Sequence, residues 1–85
     1  MVKKTNSKVV DRYRDEEFLK RLGMRVKEMR VSKGYSIDRL NLEGDGLNRS
    51  SISRIERGLT DPQLSTLKRI ADVIGVKLIE LVSFD

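Results

Sequence analysis

Glycines divide most of the chain into short segments, and in each segment the apolar residues recur every three or four positions. Such spacing places apolar side chains on one face of an α-helix. Gly34, Gly58 and Gly75 each follow a segment of this kind, where glycine commonly ends a helix because it adopts the left-handed conformation. No stretch of useful length alternates as a strand does. The pattern predicts an all-α fold, a compact bundle of five short helices.

The first predicted helix runs from Asp15 to about Lys33, and acidic residues in its first turn favour the positive end of the helix dipole. Gly23 lies inside this helix, although glycine there costs about 1 kcal/mol relative to alanine. We therefore expect another helix to approach closely at Gly23. The core residues expected from this helix are Phe18, Leu22, Met24, Val26 and Met29.

Residues that favour helix caps, Ser36 and Asn48, precede two of the later segments. The four later helices are expected at about 36–43, 49–57, 63–74 and 78–82. Their expected core residues are Leu40, Ile52, Ile55, Leu67, Ile70, Ala71 and Ile74. The short last segment carries more large apolar side chains than a helix of its length needs for packing: Ile79, Val82 and Phe84. These side chains either close the core or form a contact between two copies.

The composition excludes several classes of site. The chain has no cysteine and no histidine, which excludes disulfides, thiolate or imidazole metal ligands, and cysteine or histidine nucleophiles. With no catalytic constellation in their place, we expect neither an enzyme nor a cofactor. The apolar runs are far shorter than the ~20 residues that cross a bilayer, and Lys3 and Lys4 do not begin a signal peptide. We expect a cytoplasmic protein that does not bind membranes.

Positive charge is concentrated at the N-terminus. Residues 1–14 carry five basic side chains and one acidic side chain, so they hold most of the net charge of +5. They contain too few large apolar side chains to form a core. We expect residues 1–14 to form a flexible basic arm, which either binds an anionic polymer or is simply a soluble leader. Residues 15–85 are expected to form the folded domain.

Residues 36–57 have the order helix, short glycine-containing turn, helix, which is typical of a helix-turn-helix. With Ile52 and Ile55 in the core, the opposite face of the third helix carries four polar residues: Arg49, Ser50, Ser53 and Arg54. Arginine can donate two hydrogen bonds to guanine in the major groove, and short serines let a helix lie deep there. Asn48 and the helix N-terminus offer N–H groups to a phosphate. This face is either a DNA-binding surface or an ordinary solvated helix face.

The segment 46–58 (GLNRSSISRIERG) closely resembles the third helix of the Xre family, the phage-repressor-like group that includes lambda repressor and Cro. Further similar segments stand in the expected order at 22–26, 29–30, 33–36, 61–62 and 66–76. The resemblance covers about residues 18–82. It implies five helices, double-stranded DNA as the ligand, and transcriptional regulation by a symmetric homodimer.

The resemblance, together with the helix pattern, implies roles for individual residues. Base contacts are expected from Arg49, Ser50, Ser51 and Arg54. Phosphate contacts are expected from Ser36, Ile37, Asn48, Ser53 and Arg57. Arg30 and Glu56 are expected to form a structural ion pair between the first helix and the end of the third.

Three features depart from the family pattern. Ile37 stands where many members have a glutamine that contacts phosphate, so only a backbone N–H remains for that contact. Asn41 stands where many members have alanine, and the larger polar side chain needs a partner or a wider gap. Leu40 and Ile52 are twelve positions apart, one more than usual. The extra residue is expected in the turn at 44–46, where two glycines make an altered turn easy.

These features favour a sequence-specific, double-stranded DNA-binding transcriptional regulator that acts as a homodimer on a palindromic operator. The alternative is a protein-interaction module, such as an antitoxin with a toxin as its partner, in which DNA binding is secondary. An enzyme is not supported by any residue pattern in the sequence.

Overall fold

The computed structural model describes residues 14–84, and within them the chain forms five α-helices and no strand. The helices are α1 (Glu16–Ser32), α2 (Ile37–Glu43), α3 (Arg49–Glu56), α4 (Leu64–Ile74) and α5 (Leu78–Val82). This confirms the all-α, five-helix prediction. The basic arm predicted at 1–14 lies outside the described residues, apart from Arg14. Across residues 14–84, no helix combines the length and the apolar character needed to cross a membrane.

Side-chain caps fix where the first three helices begin. Asp15, Ser36 and Asn48 each accept a hydrogen bond from the backbone N–H three residues later, at 3.0, 3.0 and 2.9 Å. α4 stops at Gly75. The caps at Ser36 and Asn48 and the stop at Gly75 agree with the sequence prediction, because these local signals act through the nearest backbone groups.

One apolar core holds the helices together. α1 packs against α3 and α5, α2 packs against α3 and α4, and α4 packs against α5. Each fully buried leucine or isoleucine contributes roughly 1.5–3 kcal/mol relative to an exposed one, so this shared core fixes where α3 lies. Every core residue predicted for the four later helices is buried: Leu40, Ile52, Ile55, Leu67, Ile70, Ala71 and Ile74. The core also includes Leu19, Leu22, Val26, Leu47 and Leu81.

The core prediction is wrong for two side chains of α1. Phe18 is 42% exposed, with its ring centroid 5.4 Å from that of Phe84, and Met24 is 68% exposed. Leu19 is buried instead of Phe18. Neighbouring residues on a helix are about 100° apart, so spacings of three and four fit a stripe through Leu19 as well as one through Phe18. The buried stripe continues to Arg30, whose charged side chain gave no apolar signal.

α1 and α3 meet closely at Gly23. A Cβ atom at this position would lie 2.5 Å from the carbonyl oxygen of Glu56 and closer still to that of Ile55. Both obstacles are backbone atoms of α3, so a larger residue could fit only if the helix moved. The close helix approach expected at Gly23 is confirmed.

α5 closes one end of the bundle. Leu81 is fully buried, and Val82 and Phe84 pack partly against the core, whereas Ile79 is 62% exposed. Of the two roles left open by the sequence, core closure therefore applies to Val82 and Phe84. Ile79 has the exposure that a contact with another molecule requires.

Candidate nucleic-acid interface

α3 presents a polar face to solvent because its two isoleucines, Ile52 and Ile55, are buried. The core thereby fixes the rotation of the helix about its own axis. The outward-facing set consists of the exposed residues Arg49, Ser50 and Arg54 and the half-buried residues Ser51 and Ser53. The structure thus brings the polar residues singled out in the sequence onto one accessible surface.

Asn48 closes the N-terminus of α3. Its side-chain oxygen accepts hydrogen bonds from the backbone N–H of Ser51 at 2.9 Å and from the hydroxyl of Ser50 at 3.0 Å. The cap uses the oxygen, so the NH2 group of Asn48 and the free backbone N–H groups of the first turn are the donors that could meet an anion.

An acidic side chain of α2 holds Arg49. Nη1 of Arg49 donates to Oδ1 of Asp38 at 2.7 Å, and the two side chains are 67% and 73% exposed. Asp38 lies in the first turn of α2, so the pair bridges the two helices of the helix-turn-helix at its surface. The sequence prediction did not include Asp38, because no helical spacing connects positions 38 and 49.

Arg54 and Arg57 lie at the C-terminal end of α3, and both are exposed. Neither takes part in the ion pairs formed within residues 14–84. Within residues 14–84 their guanidinium groups are therefore not engaged with a carboxylate, whereas Nη1 of Arg49 is engaged with that of Asp38.

The start of α2 offers backbone donors more than side chains. The hydroxyl oxygen of Ser36 serves as the cap, and the side chain of Ile37 packs partly against the core. A phosphate at this helix end would meet the unpaired N–H groups of the first turn. A contact at Ile37 would therefore be made through its backbone, as expected from its apolar side chain.

The expected contact between Arg30 and Glu56 is present, and it is bidentate. Nε of Arg30 donates to Oε2 of Glu56 at 2.7 Å, and Nη2 donates to Oε1 at 2.9 Å. The side chains are 8% and 5% exposed. Nη1 of Arg30 donates to the carbonyl oxygen of Tyr35 at 2.7 Å. This one guanidinium group therefore connects α1, the last residue of α3 and the chain segment just before α2.

The electrostatic balance at Arg30 favours its charged form. Its pKa is raised above the ordinary value, chiefly by the side-chain hydrogen bond to Glu56, while burial acts in the opposite direction. A buried charge is tolerated where it is paired and its donors are satisfied. Three donated hydrogen bonds meet that condition here.

The turn between α2 and α3 accommodates the extra residue with two tertiary contacts. Nδ2 of Asn41 donates to the carbonyl oxygen of Leu47 at 2.6 Å, which supplies the partner that this side chain was expected to need. Leu47 itself is buried, and Gly46 has a φ of +87°, a conformation that suits glycine. Arg69 of α4 donates from Nη1 to the carbonyl oxygen of Asp45. The contact of Arg69 was not predicted from the sequence, because it depends on where α4 packs against the turn.

Three side chains form a network on the outer surface of α2 and the preceding loop. Nε of Arg39 donates to Oε2 of Glu43 at 2.8 Å, and the hydroxyl of Tyr35 donates to Oε1 of Glu43 at 3.1 Å. The guanidinium carbon of Arg39 lies 4.0 Å from the centroid of the Tyr35 ring. The pKa of Glu43 is lowered, first by the hydrogen bond from Arg39 and then by that from Tyr35. Arg39 is thus engaged within its own helix, and not with α3.

Comparisons with known proteins agree with this geometry. Residues 26–81 match the model of a protein family described as HTH_3, helix-turn-helix. The match begins in the middle of α1 and ends in α5, so it includes the second and third helices with their whole turn.

Among curated relatives, the chain is similar to the HTH-type transcriptional regulator SlrR of Bacillus subtilis. The two are 39% identical over 61 residues, which make up 71% of this chain and 40% of SlrR. The chain therefore spans less than half the length of this relative.

Two solved structures have a similar fold. The restriction-modification controller protein C.AhdI from Aeromonas hydrophila has a TM-score of 0.74 and 29% sequence identity, over 81% of this chain and 99% of that protein. The DNA-binding domain of BldD has a TM-score of 0.74 and 25% identity, over 82% of this chain and 100% of that domain.

Proposed function

The chain belongs to the HTH_3 helix-turn-helix family, and we propose that it is a sequence-specific, double-stranded DNA-binding transcriptional regulator. The observation that carries the proposal is the face of α3, which exposes Arg49, Ser50 and Arg54 while its isoleucines are locked in the core. The names of SlrR and of the BldD domain support it, since the first is called a transcriptional regulator and the second a DNA-binding domain. These relatives are named for regulation or DNA binding and not for catalysis.

α3 would lie in the major groove, where each base pair presents a distinct pattern of donors and acceptors. Arg49 and Arg54 would each donate to a guanine, and the small side chains of Ser50 and Ser51 would let the helix approach the bases. The two arginines are five residues apart, about 7.5 Å along the helix axis. That distance suits contacts to base pairs about two steps apart.

Contacts to phosphates would hold this helix in register. We assign them to backbone N–H groups at Ser36 and Ile37, to the amide of Asn48, to Ser53, and to the guanidinium of Arg57. Such contacts fix the orientation of a protein on the duplex and carry no direct sequence information. The basic segment 1–14 would add sequence-independent affinity, which a salt series with and without that segment would measure as a change in slope.

The test is selection of bound duplexes from a random pool at fixed salt, with wild type and three variants. Arg49→Ala and Arg54→Ala are each expected to lose about 1–3 kcal/mol of preference for one base pair per half-site. Arg57→Ala, the matched control, is expected to weaken all duplexes about equally. An enriched palindrome would support a homodimer. Unchanged base preferences in both arginine variants would contradict the assignment of α3.

A protein-interaction module, such as an antitoxin with a toxin as its partner, is the second candidate. The observation in its favour is a surface groove of about 370 Å³ between α1 and the C-terminal residues, whose lining includes Met24 and Phe84. Substituting Met24 with aspartate should then abolish binding of the protein encoded by a neighbouring gene and leave duplex selection unchanged. A wild-type protein that selects no duplex but binds such a partner would favour this candidate.

A further inference from the structure

We propose that Asp38 is a positioning residue that makes the contact between Arg49 and a base selective. The inference rests on the proposed function, because it requires that α3 bind duplex DNA. Its basis is the hydrogen bond of 2.7 Å from Nη1 of Arg49 to Oδ1 of Asp38. Asp38 belongs to α2 and Arg49 is the first residue of α3, so the contact connects the two helices beside the proposed DNA-binding face.

This pair does little for the stability of the fold. Both side chains are exposed, and ion pairs in water contribute little because water competes with the partners. The buried, bidentate pair of Arg30 and Glu56 already fixes α3 against α1. The Asp38 carboxylate instead restricts the long side chain of Arg49 to fewer rotamers before DNA binds. A side chain ordered in advance loses less conformational entropy on binding.

The donor inventory of Arg49 fits this role. A guanidinium group carries five N–H donors, and the contact with Asp38 uses Nη1. The edge formed by Nε and Nη2 stays free to donate two hydrogen bonds to the O6 and N7 acceptors of a guanine. Asp38 therefore orients Arg49 without using the donors that base recognition requires.

The charge of Asp38 also discriminates between the two kinds of DNA contact. An ionised carboxylate accepts hydrogen bonds only, and it repels phosphate oxygens. With Asp38 beside it, Arg49 is a weaker partner for the DNA backbone and remains a good partner for a guanine edge. Arg54 and Arg57 have no such acidic partner within residues 14–84. Among the arginines of this face, Arg49 is thus the one whose binding to DNA phosphates is weakened.

A double-mutant cycle measured as base preference tests the proposal. Duplex selection at fixed salt would compare wild type, Asp38→Ala, Arg49→Ala and the double variant. Asp38→Ala is expected to reduce the preference at the Arg49 base pair by about twofold to fivefold, the range that an exposed ion pair can supply. This is part of the roughly fivefold to hundredfold that a bidentate contact provides. Binding to random duplex is expected to stay constant or rise. In the Arg49→Ala background, Asp38→Ala should change nothing further, since coupled residues are not additive.

Glu43→Ala is the matched control. It removes the same charge from the same helix, but Glu43 pairs with Arg39 and not with α3. Its base preferences should equal those of wild type. Asp38→Asn keeps an oxygen acceptor but loses the charge. Its preference at the Arg49 base pair should lie between those of wild type and Asp38→Ala. The melting temperature of each variant, expected to stay near that of wild type, shows that the fold is intact.

Two outcomes would overturn the positioning role while leaving the proposed function in place. In the first, Arg49→Ala loses a base preference but Asp38→Ala keeps it. In the second, adding Asp38→Ala to the Arg49→Ala variant lowers a base preference further, which would mean that Asp38 contacts a base itself. If wild type enriches no duplex at all, the proposed function fails, and this inference fails with it.

Discussion

At the scale of single residues, Arg30 and Glu56 are the two charged residues that are buried within residues 14–84. Their contact predicts that a substitution of Glu56 lowers the stability of the fold. Removing one partner of a buried pair leaves an uncompensated charge and costs about 3–5 kcal/mol. We expect Glu56→Gln to lower the free energy of unfolding by an amount near the lower end of that range, because glutamine keeps one acceptor oxygen. For a domain of this size that corresponds to roughly 10 °C or more in melting temperature, measured by circular dichroism.

The matched control is Glu28→Gln. Glu28 also pairs with an arginine of α1, Arg25, at 3.0 Å, but its own side chain is largely exposed. Exposed pairs contribute about 0–1 kcal/mol, so this variant should melt within a few degrees of wild type. Equal melting of the two variants would contradict a structural role for the buried pair.

Glu43 carries the clearest pH dependence of a single residue. Its pKa is lowered mainly by the hydrogen bond from Arg39, with a further contribution from Tyr35. A group whose pKa is lower in the folded than in the unfolded state stabilises the fold above its unfolded pKa. This contribution is lost as the pH falls through the folded pKa. In an NMR titration of the carboxyl carbon, Arg39→Ala should raise the pKa of Glu43 toward its ordinary value.

Tyr35→Phe should raise the pKa of Glu43 by less, because it removes the smaller of the two hydrogen-bond contributions. Lys68→Ala removes a positive charge from α4, where Lys68 pairs with Asp72, and should leave the titration of Glu43 unchanged. If Arg39→Ala did not raise the pKa, the network on the outer surface of α2 would not persist in solution.

At the scale of elements, the contact of α1 with α3 depends on the absence of a side chain at Gly23. Alanine is favoured over glycine in a helix by about 1 kcal/mol, but here its Cβ would meet the carbonyl oxygens of Ile55 and Glu56. Overpacking typically costs about 1–3 kcal/mol, and here both obstacles are backbone atoms, which favours the upper end of that range. After the gain of about 1 kcal/mol in helix propensity, we expect Gly23→Ala to destabilise the protein by about 1–2 kcal/mol in chemical denaturation. The same shift of α3 should weaken binding to duplex DNA.

Val31→Ala is the control for helix propensity on the same element. Val31 is exposed near the end of α1, so its replacement should change stability by no more than about 0.5 kcal/mol. If Gly23→Ala were as stable as wild type, α1 and α3 could move apart without a loss of stability, and the prediction would be wrong.

The helices themselves could be predicted because their signals are local. The caps Ser36 and Asn48 and the stop Gly75 act through backbone groups within one turn, and each predicted helix end lies within one residue of the observed one. The buried side of α3 was equally predictable, since Ile52 and Ile55 are its only large apolar residues. Local patterns of this kind fix both the position of a helix and its orientation.

Contacts between elements could not be predicted in the same way. Spacing alone did not separate Phe18 from Leu19, because the choice depends on how α1 is rotated against α3 and α5. The pairing of Asp38 with Arg49 joins residues from two helices whose relative position depends on the turn between them. The contact between Arg30 and Glu56 was expected only from the family resemblance, since these positions lie 26 residues apart.

At the scale of the whole molecule, α1 packs against both α3 and α5, and the exposed residues of these helices differ in character. The surface of α3 is polar and carries arginines. α1 and α5, in contrast, leave the apolar residues Met24 and Ile79 exposed. One copy could therefore bind DNA through α3 and still offer its apolar surface to a second copy.

We expect this apolar surface to support dimers whose two copies of α3 lie about 34–36 Å apart, one turn of DNA, or a multiple of that distance. Ile79→Asp is the cleanest test, because Ile79 is exposed, whereas Val82 and Phe84 also pack against the core. The variant should lose cooperativity on a full palindromic site and bind a half-site as wild type does, since a charge opposes burial of the contact. Val31→Asp, which alters an exposed apolar residue elsewhere on α1, should keep the cooperativity. Unchanged cooperativity in Ile79→Asp, or an asymmetric footprint of the wild-type protein, would contradict a dimer built through α5.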